Sequence, residues 1–356
     1  MKNMNFKKFG VGVLALILAA LALLGAVTAV IDPFFHYHAP LKGLQYEIYY
    51  ERYQNDGILK HFDYDAVITG NSMCENFKTS ELAALFGVNA VKVPYSGASA
   101  KELDMSNRTA LKAKPDLRMI VMGLDYDNLL SDKDMMSYDA DDYPTFLYDS
   151  NPFNDAKYLF NKSIFHSALD IISYTRAGGT TTSFDDYAFW DTPGTIYGRD
   201  MILYQYERPA AVDTVYHLTP EQREMVRGNI TQNVIDTARA YPDTEFYLFF
   251  PTYSMYYWDK QNRSGTLVQR LEAERETIEL LLECDNVRLF SFLDDFELAN
   301  DFDRYKDYIH HDSRANSYIL QCMASGEHEL TRENYEDYCK LVYDYYTGYD
   351  YASLFE

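Results

Sequence analysis

The chain has 356 residues, 47 % of them hydrophobic, and carries 54 acidic against 32 basic side chains for a net charge of -22. That apolar content is ample for a core and excludes global disorder; the length suits one large α/β domain with an insertion, or two smaller domains. A surface so acidic repels phosphate backbones, which argues against nucleic acid as a partner and for a neutral or weakly charged ligand.

The N-terminus reads Lys2, Lys7 and Lys8 and then an apolar stretch from Gly10 to Ile31. At roughly 22 residues this stretch is long enough to cross a hydrocarbon core as a helix, whereas a cleaved secretory peptide usually has an apolar region of about 7–15. The lysines favour keeping that end in the cytoplasm. Residues 1–31 are therefore read as a signal-anchor, a single transmembrane helix, with everything from residue 32 extracytoplasmic. Val27-Thr28-Ala29 is a passable cleavage site, so secretion after cleavage stays open as the alternative.

Beyond the anchor come Asp32-Pro33-Phe34-Phe35-His36-Tyr37-His38 and an amphipathic stretch from about Leu44 to Leu59. His36-x-His38 has the look of a metal pair, but packing at the membrane interface explains it as well, and no metal is expected. The first strand is the apolar run Tyr64–Thr69, ending at Gly70. A helix carrying Leu82, Leu85 and Phe86 leads to a second strand, Asn89–Val93, closed by Pro94 and Gly97. Residues 99–113 read as a helix that stops before Pro115, and Leu117–Leu124 as a third strand.

Regular alternation then breaks. From about 130 to 215 the chain is rich in Tyr, Asp and Phe, with Gly178-Gly179-Thr180-Thr181-Thr182 as a flexible break, and is read as a partly helical insertion. Thr219-Pro220-Glu221-Gln222 is a helix start with N-cap, proline and capping-box partner. Glu245–Phe250 is a fourth strand, 265–284 a helix, and Val287–Phe292 a fifth strand. Two helices, 313–324 and 331–346, finish the chain. Strands alternating with helices imply a parallel sheet of about five strands covered on both faces.

In such sheets ligands bind beyond the carboxyl ends of the strands. Ser72, Gly97, Asp125, Thr252 and the pair Asp307/His310 follow the five strands in turn and so share one edge. A serine beside a histidine that is oriented by an aspartate is the arrangement of a nucleophilic hydrolase, with Ser72 attacking, His310 as base and Asp307 holding the imidazole. The plainer readings are a capping box at Ser72-Met73-Cys74-Glu75 and a surface Asp-x-x-His pair. His311 and Asp312 offer a second histidine and acid, but the Asp-x-x-His spacing favours His310. None of the four cysteines, Cys74, Cys284, Cys322 and Cys339, forms a Cys-x-x-Cys, which leaves zinc and redox readings without support; disulfides remain permitted, and Cys339 sits on an apolar helical stripe. Among 33 tyrosines, those beside strand ends three and four, together with Trp258, are candidates to line a substrate groove: Tyr126, Tyr253 and Trp258.

These residues resemble the SGNH/GDSL hydrolase superfamily, and more closely the membrane-anchored, SGNH-like extracytoplasmic proteins of Gram-positive bacteria. The resemblance covers about residues 32–350. The first block, Gly-Asp-Ser, appears as Gly70-Asn71-Ser72 and implies Ser72 as nucleophile. Tyr95-Ser96-Gly97-Ala98 matches the second and implies that the Gly97 N–H joins that of Ser72 in the oxyanion hole. Asp307 and His310 match the last block fully. The third block, Gly-x-Asn, reads Gly123-Leu124-Asp125, so the position of the oxyanion-donating asparagine holds a carboxylate. The implied fold is a three-layer α/β/α flavodoxin-like sandwich, and the implied activity is that of an esterase or O-acyltransferase on acyl esters of a cell-envelope glycan, without cofactor. Asp125 and the insertion favour the alternative, a catalytically silent glycan-binding or scaffold protein at the cell surface.

Overall fold

The apolar N-terminal run folds as one helix, Phe6–Ile31 (α1), in a computed structural model that describes residues 6–138 and 143–356. Lys2 of the flanking lysines and residues 139–142 of the expected insertion lie outside the described residues. In chain order there follow α2 (Glu51–His61), β1 (Ala66–Gly70), α3 (Thr79–Phe86), β2 (Ala90–Pro94), α4 (Ala100–Ala113), β3 (Met119–Gly123) and α5 (Tyr126–Leu129). Next come α6 (Ala156–Leu159), α7 (Lys162–Arg176), α8 (Arg199–Gln205) and α9 (Pro220–Ile230), which runs through a π turn at Thr231–Ile235 into α10 (Asp236–Ala240). The remainder is β4 (Glu245–Phe250), α11 (Met255–Arg263), α12 (Leu267–Leu281), β5 (Val287–Ser291), α13 (Phe296–Asn300), α14 (Ser313–Ser325), β6 (Glu329–Leu330) and α15 (Tyr335–Gly348). The chain divides into two compact units, Met1–Phe62 with Tyr138–Ser183, and Asp63–Ser137 with Phe184–Glu356.

In the first unit α1 is long and apolar enough to cross a membrane. It ends at Asp32, whose backbone takes a positive φ of 49°. The Asp32 carboxylate ties down the turn, accepting the N–H groups of His36, Tyr37 and His38 at 3.0, 2.7 and 2.9 Å and the Tyr158 hydroxyl at 2.6 Å. Phe34, Leu147, Tyr158 and Ile164 form a small core beneath it. The amphipathic stretch expected from Leu44 becomes helical only at Glu51. Threonine side chains explain the delay: Thr175, Thr181 and Thr182 accept the backbone N–H groups of Gln45, Tyr46 and Ile48 at 2.8, 3.2 and 3.0 Å. The run Gly178–Thr182, expected as a flexible break, is instead a docking strip for that segment, and Thr182 N–H returns a bond to the Tyr46 carbonyl at 3.0 Å.

The second unit is built on a six-stranded sheet of order β2-β1-β3-β4-β5-β6. The first five strands pair in parallel and β6 adds an antiparallel edge. β1, β2 and β3 are buried throughout and apolar but for Thr69 and Lys92, as suits strands covered on both faces. On one face Ala66, Ile68, Met119, Val121, Tyr247 and Phe249 pack with Leu82 of α3 and Ile319, Leu320 and Met323 of α14. The alternate residues Val67, Ile120, Met122 and Leu248 are equally buried and point the other way, where α4 packs on β1 and α12 on β5. Strand order reverses direction between β1 and β3, so the loops after these two strands diverge and leave room at their carboxyl ends. Ser72 and Asp125 sit on those two loops.

Candidate functional site

The loop after β1 is set by a sulfur wedged between two glycines. Gly70 takes a φ of +149°, and a Cβ there would meet the Cys74 Sγ at 2.3 Å; one at Gly123 would meet the same sulfur at 2.8 Å. Only glycines let the end of β1 lie this close to the end of β3. Burial pushes the Cys74 thiol up to about 12, so it packs rather than reacts. Beneath the loop the buried Lys92 donates to the Phe77 carbonyl at 2.9 Å and to that of Glu75 at 2.5 Å. Burial brings its pKa down to about 7 despite nearby Asp185 and Glu75. Asn316 of α14 donates to the Met73 carbonyl at 2.8 Å. Each partner holds the backbone around Ser72 from a different side.

Ser72 does not cap the turn it opens. Asn71 is the N-cap, its side-chain oxygen accepting the Met73 N–H at 3.0 Å, which corrects the capping-box reading of Ser72 and Glu75. The reason is length: a 3-10 turn of three residues, Ser72–Cys74, follows rather than a helix, so the cap falls one residue earlier. The freed hydroxyl lies 2.7 Å from Nε2 of His310, and His310 Nδ1 lies 2.7 Å from Asp307 Oδ2.

Asp307 and His310 close a short turn of their own. Asp307 Oδ1 accepts the N–H groups of Ile309 and His310, both at 2.8 Å, leaving Oδ2 to face the imidazole. Burial alone would raise the Asp307 pKa, but the bonds from the His310 ring and from both N–H groups outweigh it and hold the carboxyl below its ordinary range. A carboxylate on Nδ1 places the imidazole proton there, so Nε2 presents a lone pair to the Ser72 hydroxyl. The relay can therefore accept the serine proton as the oxygen attacks an electrophile. The second pair is engaged elsewhere. Asp312 caps α14 through Ala315 N–H at 3.1 Å and binds Arg304, while His311 is buried and its pKa is pushed down to about 4.

Gly97 lies in the turn after β2 at a φ of +63°, a left-handed conformation that glycine adopts without penalty. Tyr95 N–H bonds to the Gly70 carbonyl at 2.9 Å, so the turns carrying Ser72 and Gly97 leave adjacent strand ends. Asp125 is reached by three donors: Asp127 N–H on Oδ1 at 2.7 Å, and Tyr253 OH at 3.1 Å and the Asn71 amide on Oδ2. Burial, and next the Asp127 charge, push its pKa up against those bonds. Both of its oxygens are thus engaged by neighbouring donors on the loops after β3 and β4 and beside Ser72.

The aromatic candidates also behave differently from expectation. Tyr126, Tyr253 and Trp258 are only 1 %, 1 % and 0 % exposed. Tyr126 stacks on Phe250 and meets Tyr253 and Trp258 edge-to-face, 5.3 and 5.4 Å away between ring centroids. They support the floor behind Asp125 and present no ring to a groove. Tyr256 and Tyr257 are likewise buried, on α11, a helix whose run of aromatics hid its period.

An unforeseen residue lies on His310 instead. The Trp190 ring meets the imidazole edge-on, 5.8 Å between centroids at 85°, and its indole N–H points to the Ser72 carbonyl at 3.4 Å. The Lys306 ammonium sits 3.4 Å above the indole, its pKa lowered by burial. Asn76 accepts the N–H groups of Trp190 and Asp191 at 3.1 Å each, and Asp191 accepts that of Ser313 at 2.8 Å. Trp190 belongs to the tyrosine-rich stretch where alternation fails, so no periodic signal marked it.

His36 bonds Asp155 at 3.2 Å and His38 bonds the Ala39 carbonyl at 2.6 Å, and the four cysteines are free. No group of His, Cys, Asp and Glu among the described residues could hold a metal ion. No protein-family model matches the chain, and no curated protein matches it.

Proposed function

We propose that the chain is a membrane-anchored, extracytoplasmic serine esterase or O-acyltransferase of the SGNH type, acting on acyl esters, acetyl first among them, of a cell-envelope or extracellular glycan. The observation that carries the reading is the continuous relay from the Ser72 hydroxyl through His310 to Asp307, with both contacts at 2.7 Å. The Ser72 oxygen attacks the acyl carbonyl while His310 takes its proton. The ester bond to the sugar oxygen breaks, and His310 returns the proton to that leaving oxygen. Water or an acceptor hydroxyl then attacks the acyl-serine with His310 again as base. The N–H groups of Ser72 and Gly97 are the donors the resemblance assigns to the developing oxyanion.

The order of the blocks along the chain supports the superfamily, and the strand order supports a flavodoxin-like three-layer sandwich with the serine at the reversal. α1 and the lysines at its N-terminal end support a single-pass anchor. The glycan is the substrate of the proteins the chain resembles.

The test is acetyl release from a chromogenic acetate ester and from O-acetylated oligosaccharides by the full chain in detergent. Ser72→Ala is expected to abolish it, and equal rates for the two proteins end the mechanism. Asp125, a carboxylate where an oxyanion donor is expected, favours a second reading, a silent glycan-binding domain. Stoichiometric labelling of Ser72 by a fluorophosphonate excludes that reading, and no labelling supports it.

A further inference from the structure

The membrane end of the first unit carries a second contact with lipid. α1 is 26 residues long, about 39 Å at 1.5 Å per residue, against a hydrocarbon core of about 30 Å. Lys7 and Lys8 mark the N-terminal boundary, so the apolar part from Gly10 to Ile31, about 33 Å, fills the hydrocarbon; every residue from Phe6 to Leu23 is exposed, and protein begins to cover α1 at Leu24, over its last two turns. Gly25 and Thr28 are buried there, and a side chain at Gly25 would come within 3.2 Å of the Phe160 ring. Protein thus covers the last two turns of the span, where it approaches the headgroup layer.

The segment that does so is 153–162. It is fastened to the exit of α1 at three points: Asp155 to His36 at 3.2 Å and Tyr37 at 3.1 Å, Tyr158 to Asp32, and Phe160 against Gly25. These bonds turn Asp155 and Tyr158 inward and leave two rings and two lysines outward. Phe153 is 90 % exposed and Phe160 48 %, and the exposed Lys157 and Lys162 stand between and beside them. An outward phenylalanine pair with two lysines, in a chain of net charge -22, matches the boundary between acyl chains and anionic headgroups.

We propose that residues 153–162 form a collar seated in the headgroup layer of an anionic leaflet, Phe153 and Phe160 reaching the acyl boundary and Lys157 and Lys162 meeting lipid phosphates. The collar fixes the first unit against the bilayer at two places, α1 and this segment, and so sets its tilt. The inference rests on the reading of α1 as a membrane span.

The test places photoreactive benzoyl-phenylalanine at position 153, 160 or 21 of the full chain in nanodiscs of phosphatidylcholine and phosphatidylglycerol. Position 21 lies in the exposed part of α1 and reports the span itself. Lipid adducts at 153 and 160 are expected within about threefold of the yield at 21, as befits side chains at the acyl boundary. Neutralising each lysine, Lys157→Gln or Lys162→Gln, is expected to lower the phosphatidylglycerol share of those adducts by roughly fivefold. Adducts at 21 with none at 153 or 160 overturn the collar and leave the span standing. Adducts at none of the three remove the span and the collar together.

Discussion

Replacing Asp307 by asparagine isolates what the acid does for His310. Two backbone N–H groups, those of Ile309 and His310, converge on Asp307 Oδ1 at 2.8 Å. In the amide they still require an oxygen, so Asp307→Asn is forced to put its NH2 group where Oδ2 stood, 2.7 Å from His310 Nδ1. Two donors then face each other unless the imidazole moves its proton to Nε2. That tautomer points an N–H at Ser72 and has no lone pair for the serine proton. The electrostatic loss adds to this: a unit charge about 4 Å from an imidazolium at an effective dielectric of about 20 contributes about 4 kcal/mol, close to a thousandfold in rate. With the wrong tautomer included, the expected fall in kcat is about ten-thousandfold. The assay is the initial rate on a chromogenic acetate ester, with the melting temperature as a check on folding. Loss of one charge-assisted hydrogen bond is expected to cost only about 1.5–3 kcal/mol of stability. The sign of its pH dependence follows from the depressed Asp307 pKa: the stabilisation is present above the ordinary carboxylate range and disappears as pH falls through the folded value, where wild type and variant converge. A folded Asp307→Asn protein with more than about a tenth of the wild-type rate refutes the tautomer argument.

Two further outcomes follow from the packing. Gly70→Ala drives a methyl group into the Cys74 sulfur and is expected to cost about 1–3 kcal/mol and to slow fluorophosphonate labelling of Ser72; Cys74→Ala in the same chain should recover part of the labelling rate, and wild-type labelling in the single variant would show that the wedge does not position Ser72. Glu274 is buried with its carboxyl between Ser291 and Tyr338, at 3.1 and 2.7 Å, and burial pushes its pKa up to about 7. Between the ordinary carboxylate value and 7 the folded protein keeps a proton the unfolded chain has released, so stability falls as pH rises through that window. Glu274→Gln should remove the fall, worth on the order of 3 kcal/mol by pH 8, and a wild-type pH profile of melting temperature in the variant would refute it.

The parts of this fold legible in the sequence are those whose signal is local. Thr219 and Gln222 form the capping box that their spacing announces, and β4 occupies Glu245–Phe250, the apolar run bounded by turn residues. The broad α/β class followed from such runs. What escaped notice depended on partners distant in sequence. β6 is two residues long and exists only because β5 lies beside it. The threonines after Gly179 looked like a loose linker because their partners, the N–H groups of residues 45–48, lie more than a hundred residues away. The same holds within the site. Ser72, Asp307 and His310 carried motifs, but Trp190 is recognisable only from its contacts with His310 and Lys306. The buried rings of Tyr126, Tyr253 and Trp258 illustrate the converse: adjacency to a strand end places a residue near the site without saying which way its ring turns.

The two positions where this chain departs from the SGNH pattern are bonded to each other. Asn71 stands where that pattern has an aspartate, Asp125 where it has an asparagine, and the Asn71 amide donates to Asp125 Oδ2. The orientation of that amide is not free, because the Met73 N–H at 3.0 Å requires its oxygen. Its NH2 group must therefore face Asp125, and Tyr253 OH and Asp127 N–H occupy the rest of the carboxylate. On the proposed SGNH reading the acid and the amide stand in exchanged positions, the amide beside the nucleophile and the carboxyl on the loop after β3. On the proposed mechanism the exchange leaves the relay untouched, since neither side chain bonds to His310 or Asp307. It withdraws the side-chain donor from the oxyanion and leaves the two backbone N–H groups to stabilise it. The loss of one such donor is typically worth about a hundred- to thousandfold in rate. On that mechanism the cost falls on formation of the tetrahedral intermediate rather than on activation of the serine, and a rate of acetyl release undiminished against that expectation would count against the assignment of Asp125 to the hole.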